Sequence, residues 1–127
     1  MRLNHVTLPA TNLAASIAFY EAMGLELILR ADPRYARFAV DDGSTLSVEV
    51  TEGGVAGSAE IFLHCDNVDA DTAAATARGL VFDWSPTDQI YLWRTAGLRD
   101  PAGNRIVLFT PGANQHFPPW RVDGRTA

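Results

Sequence analysis

Apolar and polar positions alternate with period two from the start of the chain. In Arg2–Ala10, RLNHVTLPA, an extended backbone puts Leu3, His5 and Thr7 on one side and Asn4, Val6 and Leu8 on the other. The period then becomes helical. Leu13, Ile17 and Tyr20 form one apolar stripe, Thr11 or Asn12 is placed to cap it, and Gly24 stands where helices end in a left-handed residue. Strand-like runs follow at Leu25–Arg30, Tyr35–Val40 and Thr45–Thr51, with turns at Asp32-Pro33 and Asp42-Gly43. The first part therefore reads β-α-β-β-β.

After the glycine-rich stretch Glu52–Ser58 the pattern restarts. A shift of 55 pairs Asn4-His5-Val6 with Ala59-Glu60-Ile61, Asn12 with Asn67, and Gly24-Leu25 with Gly79-Leu80. The stripe Leu13, Ile17, Tyr20 meets Val68, Thr72, Ala75, thinner but in step. Later the shift becomes 58, pairing Asp42-Gly43 with Asp100-Pro101 and Glu49 with Val107. The second set of strands is expected at Ala59–Cys65, Val81–Ser85, Ile90–Arg99 (interrupted at Thr95-Ala96-Gly97) and Asn104–Phe109. This gives an α+β fold in which two tandem βαβββ modules form a cupped mixed sheet. The modules are residues 1–51 and 59–110, joined by a linker at 52–58 and followed by a tail at 111–127.

Each module covers one sheet face with its helix and leaves the other for a cavity. Ser47 and Glu49 oppose the core-like Leu46, Val48 and Val50, and Glu60, Phe62 and His64 oppose Ile61, Leu63 and Cys65. His5, Glu49 and Glu60 thus share the open faces, and an imidazole with two carboxylates can converge on a divalent ion. By spacing alone the two glutamates are equally well explained as side chains on a solvated sheet. Thr7, Ser47, Phe62, Val107 and Phe109 line the same faces, and Trp84, Tyr91 and Trp93 offer an aromatic wall for a planar ligand.

Two stretches, LNHVTLPATNLAASIAFYEAMGLEL and RDPAGNRIVLF, together with the paired βαβββ layout, resemble the vicinal oxygen chelate superfamily of glyoxalases, bleomycin-resistance proteins and extradiol dioxygenases. The resemblance implies metal ligands at His5, Glu49, Glu60 and Val107, where valine cannot ligate. It implies a divalent-metal-dependent enzyme of lyase, isomerase or oxygenase type, acting on a small vicinal-oxygen substrate. Ni, Zn, Mn, Fe or Mg would be held by His5, Glu49 and Glu60, with Glu49 or Glu60 as base. The alternative it implies is a metal-free binding protein of the bleomycin-resistance type. Relatives of both kinds lead to the expectation of a homodimer.

Composition narrows the partners. The net charge is −5 and all ten basic residues are arginines scattered along the chain, so no nucleic-acid-binding patch is expected. No apolar run reaches the ~20 residues that span a bilayer. The single cysteine, Cys65, excludes an internal disulfide, and the absence of a leader pattern makes the cytoplasm the expected location. In the tail, Phe117 and Trp120 are apolar enough that the segment is expected to wrap over a module or a partner and to lid a pocket. Asp123–Ala127 is expected to fray.

Overall fold

A computed structural model describes residues 1–51 and 57–122, so most of the linker and the last five residues lie outside the described part. The first module runs β1 (His5–Ala10), α1 (Leu13–Ala22), β2 (Glu26–Ala31), β3 (Tyr35–Ala39) and β4 (Thr45–Val50). The second repeats it as β5 (Glu60–His64), α2 (Val68–Ala77), β6 (Trp84–Asp88), β7 (Arg94–Arg99) and β8 (Arg105–Thr110). Each module makes one four-stranded sheet, ordered β1-β4-β3-β2 and β5-β8-β7-β6. The outer pairs β1–β4 and β5–β8 are parallel and the remaining pairs antiparallel, so both sheets are mixed.

The two helices share their local chemistry. Asn12 accepts the Ala15 N–H and Asn67 accepts the Ala70 N–H, so asparagine rather than Thr11 caps each N-terminus. Both helices end on a glycine in the left-handed region, Gly24 at φ 100° and Gly79 at φ 99°. The next residue then bonds back to the last turn, Leu25 N–H to Tyr20 O and Leu80 N–H to Ala75 O. This cap-to-glycine agreement bears out the repeat. No helix among the described residues is long and apolar enough to cross a membrane.

One core joins the modules. Leu8, Phe38, Leu46 and Val48 from the first sheet meet Leu98 and Ile106 from the second, with Ile17, Phe19 and Tyr20 of α1 packed among them. Tyr20 is fully buried, and its hydroxyl donates to Asp100 Oδ2 at 2.6 Å. Asp100 also accepts from the Ala102 and Asn104 backbone N–H groups and from Asn104 Nδ2, which in turn donates to the Pro9 carbonyl. The turn after β7 is therefore a polar clasp between modules.

Several expected boundaries move. β1 begins at His5 rather than Arg2, because the first four residues are exposed and ladder pairing starts where Thr45 N–H meets Asn4 O. β6 begins at Trp84 rather than Val81, since Val81 is solvent-exposed while Phe82 turns into the core. β7 is unbroken through Thr95-Ala96-Gly97 and opens only at Arg94; Ile90 to Trp93 make the hairpin end. Gly97 is not a break but a clearance: a Cβ there would lie 2.1 Å from the Trp84 ring.

The longest-range correction concerns the repeat itself. His5 pairs with Thr45 and Glu60 pairs with Arg105, and the turn bonds Val40 N–H to Ser44 O and Asp100 N–H to Asn104 O are equivalent. The final strands are therefore related by 60 residues, not 58. The longer β6–β7 hairpin supplies the difference. Ser47, not Glu49, is the counterpart of Val107, and Glu49 corresponds to Phe109.

Candidate ligand-binding cup

On the sheet faces turned away from the core, alternation does what the sequence predicts. Val6, Leu8 and Ala10 pack inward while His5 and Thr7 are exposed, and Phe62 and His64 stand out between the inward Ile61, Leu63 and Cys65. β1 and β5 are edge strands of their sheets, and an open cavity of about 520 Å³ lies between them, lined by His5, Thr45, Glu60, Phe62 and His64 among others.

The expected trio does not converge within the chain. His5 and Glu60 line this cavity, but Glu49 pairs with Pro9, four residues along the ladder from His5, or ~13 Å. The two-residue slip in the repeat is the reason: the places diagonal to His5 and Glu60 hold Ser47 and Val107, and neither is a carboxylate. Both ring nitrogens of His5 are engaged by hydroxyls, Nδ1 with Thr45 Oγ1 at 2.6 Å and Nε2 with Thr7 Oγ1 at 3.1 Å. Glu60 faces Arg105, 3.6 Å from carboxylate to guanidinium. Among the described residues no three His, Cys, Asp or Glu side chains are grouped to hold a metal ion. This donor set, as one chain arranges it, does not fit the divalent ion that the resemblance implies.

What the second sheet does assemble is aromatic. Phe109 sits under Phe62 and Trp93, with ring centroids 5.4 and 4.8 Å away, and Phe62 meets Trp93 edge-on at 5.7 Å. His64 and Tyr91 extend the group at either side, 5.6 Å from Phe109 and 5.7 Å from Trp93. Edge-to-face packing of this kind holds rings rigidly in place. Phe109 and Val107 are buried beneath it, so they form its floor, whereas Phe62 and Tyr91 remain 37% and 41% exposed. Trp93 is fixed further by donating from Nε1 to the Asn114 carbonyl at 3.1 Å. Trp84 lies flat over Gly97, donates to Thr95 Oγ1 at 3.0 Å and carries the Arg105 guanidinium 5.7 Å above its ring. It serves the floor at one end.

Other expectations resolve simply. Burial pushes the Cys65 thiol up to about 12, which keeps it protonated and unreactive, consistent with packing. In the tail Phe117 and Trp120 stay 51% and 58% exposed, and the Arg121 guanidinium lies 4.4 Å from the Phe117 ring. Among the described residues the tail is tied to the aromatic group by the Trp93–Asn114 bond.

Residues that sequence reasoning passed over are Tyr35 and Arg37 on the open face of the first sheet. Period-two alternation from Ala36 and Phe38, both fully buried, places them there and was the available signal. Hydrogen bonds from Ser47 and then Arg37 hold the Tyr35 phenol below its usual value.

Comparison with known proteins agrees with this architecture. The chain is similar to a glyoxalase/bleomycin resistance protein from Catenulispora acidiphila at 21% identity and TM-score 0.73, covering 86% of this chain and 98% of that one. It is similar to a lactoylglutathione lyase from Agrobacterium tumefaciens at 20% identity and TM-score 0.73, covering 86% and 92%. It is also similar to a bleomycin-binding protein in complex with bleomycin, at 20% identity and TM-score 0.71, covering 88% and 99%. No curated protein matches it by sequence at a significant level. The profile of one family spans residues 2–108, nearly the whole of both modules. On that span and on the paired four-stranded sheets, the chain belongs to the Glyoxalase/Bleomycin resistance protein/Dioxygenase superfamily.

Proposed function

We propose that this protein binds a planar aromatic small molecule without a metal ion, against the Phe62, Trp93 and Phe109 face of its second sheet. The observation that carries the reading is the interlocked aromatic group, rigid, half-exposed and beside the cavity at the β1–β5 edge. Rigid rings lose little conformational entropy when a ligand stacks on them, so such a face binds with few polar contacts. Glu60 and His64 at its border give a place for a positively charged or hydrogen-bonding substituent. The relative whose structure contains bleomycin supports small-molecule binding on this fold. Each sheet face is left open by the chain itself, which suits assembly as a homodimer.

One observation favours the metal-dependent alternative: His5 and Glu60 line a single cavity, so a second chain bringing a carboxylate there would complete a ligand set.

Intrinsic fluorescence tests the proposal cheaply. Trp93 lies in the contact face and Trp84 beside it. A panel of planar aromatic compounds is expected to contain members that quench the emission saturably, with the response reduced at least about tenfold in concentration dependence by Trp93→Ala. A flat response to every compound, or one that Trp93→Ala leaves unchanged, counts against it.

A further inference from the structure

The open face of the first sheet differs sharply in chemistry from the aromatic one. Tyr35 and Arg37 leave the same face of β3, with Glu49 opposite Tyr35 and Ser47 opposite Arg37 across the β3–β4 ladder. In the repeat these places correspond to Thr95 and Gly97, where the second sheet lays down Trp84. The floor that is an indole in one module is thus a guanidinium and a phenol in the other.

The arginine is fixed. Its Nε and Nη2 both donate to Tyr35 Oη, at 3.1 and 3.0 Å, and its Cζ lies 5.5 Å from the Tyr35 ring centroid. The phenol is anchored in turn by a 2.5 Å hydrogen bond with Ser47 Oγ, and Ser47 is fully buried. Because one edge of the guanidinium is spent on a single oxygen, its other edge, Nη1 with the outer N–H of Nη2, keeps the planar fork that matches a carboxylate. The half-buried Arg94 and Arg105 each have an acidic partner, whereas Arg37, half-buried too, makes no ion pair among the described residues, and neither do the exposed Arg2, Arg34, Arg78 and Arg99. Glu49, although opposite Tyr35, does not neutralise it. A half-buried cation in a protein of net charge −5 that leaves its fork unpaired is arranged for an anion from outside.

We propose that Arg37, held in place by Tyr35 and Ser47, is a binding site for the carboxylate of a small organic acid on the open face of the first sheet. The site is separate from the aromatic face and does not depend on the reading given for it. Bidentate pairing gives it selectivity for planar carboxylates over neutral amides of the same shape.

The test titrates benzoate against the protein, with benzamide as the uncharged isostere, following the Arg37 Nε–H by nuclear magnetic resonance. Benzoate is expected to shift that resonance saturably and benzamide not to. Arg37→Gln should weaken benzoate at least about tenfold. Arg37→Lys, which keeps the charge but lacks the fork, should recover only part of the affinity. Trp93→Ala should leave the Arg37 response intact, which separates failure here from failure of the aromatic site. Equal shifts with benzoate and benzamide, or undiminished benzoate affinity in Arg37→Gln, overturn the proposal. So does a result in which benzoate causes no shift while Arg37→Gln changes self-association in sedimentation, because the carboxylate would then belong to a second copy of the chain.

Discussion

Asp100→Ala is expected to destabilise the protein by about 3–5 kcal/mol, the largest effect of any single polar substitution. The carboxylate is buried and accepts four hydrogen bonds, from Tyr20 Oη, the Ala102 and Asn104 N–H groups and Asn104 Nδ2. Alanine leaves all four buried donors without their acceptor. Because Asn104 Nδ2 also holds the Pro9 carbonyl, loss of its second partner loosens the hold of β8 on β1 as well. Urea unfolding of Asp100→Ala, Tyr20→Phe and the double variant isolates the pair across the two modules. A coupling of about 1.5–3 kcal/mol is expected, since the bond is to a charged acceptor. Additivity of the two single effects would show that the Tyr20–Asp100 bond contributes nothing to holding the modules together.

Gly97→Ala is the second large effect, and it acts on stability and binding together. The added Cβ would stand 2.1 to 2.5 Å from three atoms of the Trp84 ring. Trp84 cannot slide aside freely, because Nε1 is bonded to Thr95 Oγ1 and Arg105 lies above the ring. Overpacking of a rigid aromatic typically costs about 1–3 kcal/mol. The displaced indole should also break contact with the floor near Val107, which pairs with Gly97 across the ladder. Melting temperature and aromatic-ligand affinity are therefore expected to fall together. A variant that binds ligand normally while melting earlier would place Trp84 outside the binding face.

Much of this architecture is written in local patterns. Asn12 and Asn67 as caps, Gly24 and Gly79 as terminators, and the alternation around His5 and Glu60 each follow from short-range physics, and the structure carries them all. The misreadings arise where register depends on distant residues. Sliding Asp42-Gly43 onto Asp100-Pro101 looked natural because both are turn dipeptides, yet the ladder fixes Thr45 and Arg105 as equivalents. That slip of two residues kept Glu49 on the correct face while moving it away from His5. Period-two reasoning cannot detect a slip of two, because every side chain still points the right way. Of the two partners of His5, Thr7 shares its strand face and was legible, whereas Thr45 was hidden because it is forty residues distant. The aromatic group was legible as types and faces. The mutual contacts of its rings came only from two strands and a hairpin end meeting in space.

Calorimetric titration of chelator-treated protein with a planar aromatic ligand, in parallel on the wild type, Trp93→Ala and His5→Ala, decides most directly between a metal-free aromatic site and a metal-dependent one. The expected result is binding that survives the chelator and His5→Ala, and that Trp93→Ala weakens at least about tenfold. Binding that appears only when a divalent ion is restored, and that His5→Ala abolishes, would contradict it.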